Sequence, residues 1–168
     1  FLALHMELDS KQKRGKRGYL FLTGDEDPYP VLSRHVVEAV VGDRVDEDLK
    51  VEEVLAVLQE TFVPFFLVPD AERRAQCERR WRDLLGDHVL CLEDPAHVCH
   101  AAAGAILVTE KLVTDSKGLE RALRDSGAKR AVVRGVLRAL APLIEPRGDS
   151  PAASARPPSL LKRLFKRS

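Results

Sequence analysis

The chain lacks a membrane span. No stretch of its 168 residues approaches the roughly 18 consecutive apolar residues that a bilayer-crossing helix needs. No secretory leader is expected at its start, which opens on Phe1 without a basic n-region. Cysteine is scarce: Cys77, Cys91 and Cys99 are an odd number without a Cys-x-x-Cys pair, so neither a zinc framework nor a disulfide scaffold is expected. Cys91 falls in an apolar run and Cys99 on a helical stretch, so both read as small core residues. The expectation is a reducing, cytoplasmic compartment. Catalytic signatures are missing too. There is no P-loop, no Gly-x-Ser-x-Gly and no His-Glu-x-x-His, and candidate bases such as His88 and His97 have no nucleophile to serve. Charge of one sign is also absent, with 27 basic and 26 acidic residues, so the basic footprint of a nucleic-acid binder is not there.

What is present is enough for a folded domain: 45% hydrophobic and 32% charged residues suit a globular protein with a real core. The charge is unevenly placed. Six of the basic residues but a single acid lie from Arg147 onward, which leaves the preceding body mildly acidic. The chain opens Phe1-Leu2-Ala3-Leu4-His5-Met6-Glu7-Leu8 without an initiator Met and reads as a piece of something longer. Leu4 and Leu8 predict the last turns of a helix over 1–9. Lys11-Gln12-Lys13-Arg14-Gly15-Lys16-Arg17 then reads as a solvated connector, with phosphate binding as the alternative.

Gly18 to Thr23 is a short apolar run bounded by glycine, which predicts a strand buried on both faces. It stops at Asp25-Glu26-Asp27, followed by Pro28 and Pro30. In open α/β sheets ligands bind beyond the carboxyl ends of such strands. Three hard oxygen donors at that edge are the chemistry Mg²⁺ or Ca²⁺ takes. The plainer reading is that they cap the next helix and favour its positive end.

Helical spacing continues over 31–41, with Val36, Val37, Val40 and Val41 on one side, and over 51–61, with Val51, Val54, Leu55 and Leu58 inward. His35 on the first of these reads as a boundary residue. A second strand is predicted at 62–70 and a charged helix at 71–85, with Trp81, Leu84 and Leu85 on its packing face. A short strand over 88–92 and a small-residue helix over 96–113 follow, the latter able to lie close against a sheet. The alternation predicts a parallel sheet with right-handed crossovers. Two further helices, near 119–125 and 129–140, are expected to cover a flank of the sheet. From Glu145 the composition becomes that of a linker. Residues 159–168 pair Leu160, Leu161, Leu164 and Phe165 with a basic face, which suits either weak docking on a membrane surface or a partner, or plain disorder of so short a segment.

The segment Tyr19-Leu20-Phe21-Leu22-Thr23-Gly24-Asp25-Glu26 with Pro28-Tyr29-Pro30 carries a resemblance. So do Phe65-Phe66-Leu67-Val68-Pro69, Trp81-Arg82-Asp83-Leu84-Leu85-Gly86 and Leu90-Cys91-Leu92-Glu93-Asp94-Pro95, in that order. Over about 1–113 the chain resembles the von Willebrand factor type A (VWA) domain family, and more narrowly bacterial VWA-like proteins. The resemblance implies a Rossmann-like (VWA-type) α/β three-layer sandwich, here partial, with a mostly parallel central sheet and extra C-terminal helices. It implies a metal-ion-dependent adhesion site at the sheet's carboxyl edge, with Asp25 as the Asp that follows the fourth strand. The family's Asp-x-Ser-x-Ser is absent from this sequence, and its usual Asp-Gly is Asp25-Glu26 here. A Mg²⁺ or Ca²⁺ site is therefore expected in a full-length domain, with no ion bound by this piece alone.

The expected organisation is 1–113 as the C-terminal part of a VWA-like domain, 114–144 as a helical extension and 145–168 as a Pro/Ala/Ser linker with a basic tail. The expected function is a non-catalytic module that binds a protein partner, not nucleic acid, through the sheet edge. The alternative is a Mg²⁺-dependent hydrolase or phosphoryl-transfer domain using Asp25, Glu26 and Asp27 as metal ligands.

Overall fold

The computed structural model describes residues 6–145. The amphipathic tail at 159–168, nearly all of the linker and the start of the expected first helix lie outside the described residues. The elements in order are α1 (Asp9–Arg14), β1 (Gly18–Thr23), β2 (Val31–Leu32), α2 (Arg34–Val41), β3 (Leu49–Lys50), α3 (Val51–Thr61) and β4 (Phe62–Val68). They continue with α4 (Arg74–Leu85), β5 (Val89–Cys91), α5 (Val98–Thr109), α6 (Ser116–Asp125) and α7 (Arg130–Ile144). Single 3-10 turns at Gly86–His88 and Pro95–His97 flank β5. This is a mixed α/β fold of the Rossmann-like kind: a three-stranded parallel sheet in the order β1-β4-β5, flanked by helices. No helix among the described residues is long and apolar enough to cross a membrane.

β4 occupies the middle of the sheet, and its whole run, Phe62-Val63-Pro64-Phe65-Phe66-Leu67-Val68, is buried. Aromatic and β-branched residues pack well on a pleated surface, and a central strand covered on both faces leaves no place for polar side chains. β5 pairs with it in parallel, Phe66 opposite Val89 and Val68 opposite Cys91. β1 stands at the end of the order, and none of its six residues is buried. The expectation of a strand buried on both faces is therefore corrected: at the end of the order, where one flank has no neighbouring strand, its side chains stay partly exposed.

Contacts divide the described chain into two compact units, one of 6–20 and 28–64, the other of 21–27 and 65–145. In the first, β2 and β3 form a two-residue antiparallel ribbon, Val31 opposite Lys50. Leu49 and Val57 make its small core, with Leu32, Val45 and Val54 packed on them. α1 occupies part of the stretch read as a connector. Two of its cations are engaged within the chain: Lys11 Nζ donates to the Glu60 carbonyl at 2.7 Å and an Arg17 guanidinium N–H to the Gln59 carbonyl at 3.1 Å. Two cations thus satisfy the last carbonyls of α3, where the helix dipole favours positive charge. At the other end of α3, the Glu53 carboxylate accepts from the Lys50 amide at 3.0 Å. On α2 only Val37 is buried, while Val36 and Val40 are 53% and 76% exposed. Successive helical residues are rotated by about 100°, so a two-turn helix with one narrow contact cannot bury Val36 beside Val37.

In the second unit α5 makes a close approach to two other helices at Gly104. A Cβ built on Gly104 would lie 2.6 Å from Leu140 Cδ1 of α7 and 3.4 Å from Leu119 Cδ1 of α6. The small residues of α5 are what let three helices meet at this point. Gly135 on α7 serves the same purpose against His97, whose ring would stand 2.7 Å from an added Cβ. Leu119, Leu140 and Val136 fill the space between these helices at 0% exposure. Cys77, not Cys99, is the fully buried thiol, and Cys99 is exposed on the outer side of α5.

Candidate functional site

The carboxyl end of the sheet is organised by α4, and two faces of that helix do different things. Residues 73, 77, 80 and 81, spaced at helical intervals, meet the segment that leaves β1. Gly24 N–H donates to the Leu67 carbonyl at 3.2 Å, extending the β1–β4 ladder by one bond. Only a residue without a side chain fits easily there, since a Cβ would stand 3.1 Å from the Phe66 ring. Trp81 stacks on that same ring, with centroids 3.9 Å apart and planes 13° from parallel. Its indole N–H donates to the Glu26 carbonyl at 2.9 Å. The backbone of the acidic trio is therefore pinned to α4 by a stacked aromatic pair and one hydrogen bond.

Two side chains of the trio, Asp25 and Asp27, turn to arginine. Asp25 Oδ2 lies 3.1 Å from Arg73 Nε, and Asp27 Oδ2 lies 3.7 Å from Arg80 Nε, with all four side chains between 42% and 61% exposed. The Glu26 residue is exposed. Burial raises the Cys77 thiol above its usual range, and the carboxylates of Asp27 and Asp25 push it the same way. The first turn of α2 is served instead by Asp48, whose carboxylate accepts from the Arg34 amide at 2.9 Å.

The other carboxylates at this edge are engaged as well. Asp70, just past β4, accepts from the Glu72 amide at 2.8 Å. Asp94, just past β5, accepts from the Ala96 amide at 2.8 Å, and Glu93 pairs with Arg138. Among the described residues no group of three or more His, Cys, Asp or Glu is placed to hold a metal ion. The described donors alone therefore do not make a cage for Mg²⁺ or Ca²⁺, and a cation at Asp25 would compete with Arg73.

The second face of α4 carries Arg74, Glu78 and Arg82, one helical turn apart. Both guanidiniums bond the Glu78 carboxylate, Arg82 Nε at 2.7 Å. Hydrogen bonds from Arg74 and then Arg82 outweigh burial and hold the Glu78 carboxyl down at about 2. This triad lines a cleft of about 330 Å³ together with Cys91 at the end of β5 and Arg138 of α7. Burial, followed by the Glu78 charge, pushes the Cys91 thiol up to about 11, so it stays protonated at neutral pH. The sequence reading missed this cleft. Its signal was the Arg-x-x-x-Glu-x-x-x-Arg spacing on a helix, which carries information only once Arg138 is known to lie opposite.

No family model matches the chain, and no curated protein or solved structure matches it either.

Proposed function

We propose that the chain is a non-catalytic interaction module of VWA-like kind that engages a protein partner at the carboxyl rim of its parallel sheet. The observation that carries this reading is the rim itself. Asp25 and Asp27 are held in place by Arg73 and Arg80, yet remain about half open to solvent. Their backbone is fixed by Trp81. A partner thus meets a pre-arranged row of alternating charges on a rigid support, which reduces the ordering cost of association. In a longer domain Asp25 would be one ligand of a Mg²⁺ or Ca²⁺ ion, with the remaining donors supplied by residues outside those described here. The compartment expected for this activity is the cytoplasm.

The test is crosslinking and pull-down with the full chain from its own source, comparing the native sequence with Asp25→Ala and Arg73→Glu. Loss of the same captured protein in both variants, with folding unchanged by circular dichroism, supports the reading. Undiminished capture by both sinks it. Turnover of a phosphoester with Mg²⁺ or Mn²⁺, lost on Asp25→Asn, would replace it with the hydrolase alternative.

A further inference from the structure

We propose that the cleft between α4, the end of β5 and α7 binds a compact oxyanion, the carboxylate or phosphate group of a small molecule. This is a second site, on a face of α4 turned about 100° from the rim, and it does not depend on the partner-binding reading. Its volume of about 330 Å³ lies at the small end of the range for ligand cavities. Cys91, the last residue of a parallel strand, is part of its lining, and α/β sheets characteristically receive ligands at that end.

The lining supplies the recognition chemistry. Arg74 and Arg82 come from one helix and Arg138 from another. A guanidinium is a planar fork with five N–H donors that matches carboxylate and phosphate geometry. The bonds each makes within the chain, to Glu78, to the Gly86 carbonyl or to Glu93, leave every one of the three with further donors. Those same bonds fix the forks before a ligand arrives, so less side-chain entropy is lost on binding. Ala139 and Pro142 give the wall an apolar part.

Glu78, Asp87 and Glu93 also line the cleft, so its formal charge is balanced. Selection must therefore come from hydrogen-bond geometry more than from net field. Bidentate oxyanions should be preferred to a spherical anion such as chloride.

The experiment is a titration of the full chain at low ionic strength, followed by amide chemical shifts or calorimetry, with inorganic phosphate in one arm and succinate in the other. Saturable binding is expected in at least one arm, and the tighter arm assigns the class. Chloride at the same concentration should give no saturation. Arg138→Ala should weaken binding by about tenfold or more, the scale of a lost charge-assisted hydrogen bond. Arg138→Lys, which keeps the charge but loses the fork, should also bind more weakly than the native chain and guards against a folding defect in the alanine variant. Arg73→Ala, which pairs with Asp25 and does not line the cleft, should bind as the native chain does. Absence of saturation in both arms, equal binding of chloride, or native affinity in both Arg138 variants would overturn the proposal.

Discussion

β1 and β4 are both short apolar runs with aromatic residues, and from composition alone they predict the same environment. Their surroundings differ. Every residue of β4 is buried, while β1 has none that is. The difference follows from position in the order β1-β4-β5 and not from hydrophobicity. The contrast extends to charge: Glu78 of α4 is clasped by two arginines, whereas Asp25 and Asp27 after β1 hold one arginine each and stay open to water. A central strand supplies stability, and an end strand delivers side chains to the surface.

The largest expected effect separates the two strands directly. Leu67→Ala, at a site with 0% exposure, should destabilise the chain by about 2–5 kcal/mol in urea unfolding. Leu20→Ala in β1, only partly buried, should cost less than about 1.5 kcal/mol. Equal losses would break the comparison. Next comes Gly135→Ala, where the new methyl would stand 2.7 Å from the His97 ring. Overpacking of about 1–3 kcal/mol is partly offset by alanine's better helix propensity, so thermal unfolding should show a net loss near 1 kcal/mol.

Acid titration sharpens the contrast between the charges. The Glu78 carboxyl is lowered from 4.5 to about 2 on folding. Its contribution is therefore fully present above pH 4.5 and is lost as the pH falls through about 2. Urea midpoints measured over that window should fall less steeply for Glu78→Gln than for the native chain. The smallest effect belongs to the rim. Arg73→Ala removes an ion pair whose members are 48% and 42% exposed, and should cost less than about 1 kcal/mol, shrinking further in high salt. A loss there as large as at Leu67 would show the rim to be structural.

How far the fold could be read from the sequence depended on the length of each pattern. Gly18 to Thr23 and Val51 to Thr61 come out with the bounds the residues predict, since glycine, proline and apolar period all mark them. The β2–β3 ribbon was invisible because two-residue strands are too short for any alternation to register. α1 was hidden in a run of lysines and arginines whose purpose, meeting the carbonyl end of α3, lies some fifty residues away in the chain. Asp25, Glu26 and Asp27 were legible as an acidic edge, but not their partners. Arg73 and Arg80 come from a helix that the chain reaches only after a second strand, and spacing in sequence does not record that return. Cys99 was misread because a cysteine on an apolar helix says nothing about which side it faces.

Trp81 is the only tryptophan in the chain, and it is stacked on Phe66 and bonded to the backbone of Glu26. The protein therefore carries its own optical gauge at the very spot where the carboxyl rim is fastened to α4. Anything that shifts that loop changes what surrounds the indole, and so alters the colour and intensity of its emission. Movement of that loop can be followed in unlabelled protein with a fluorimeter alone.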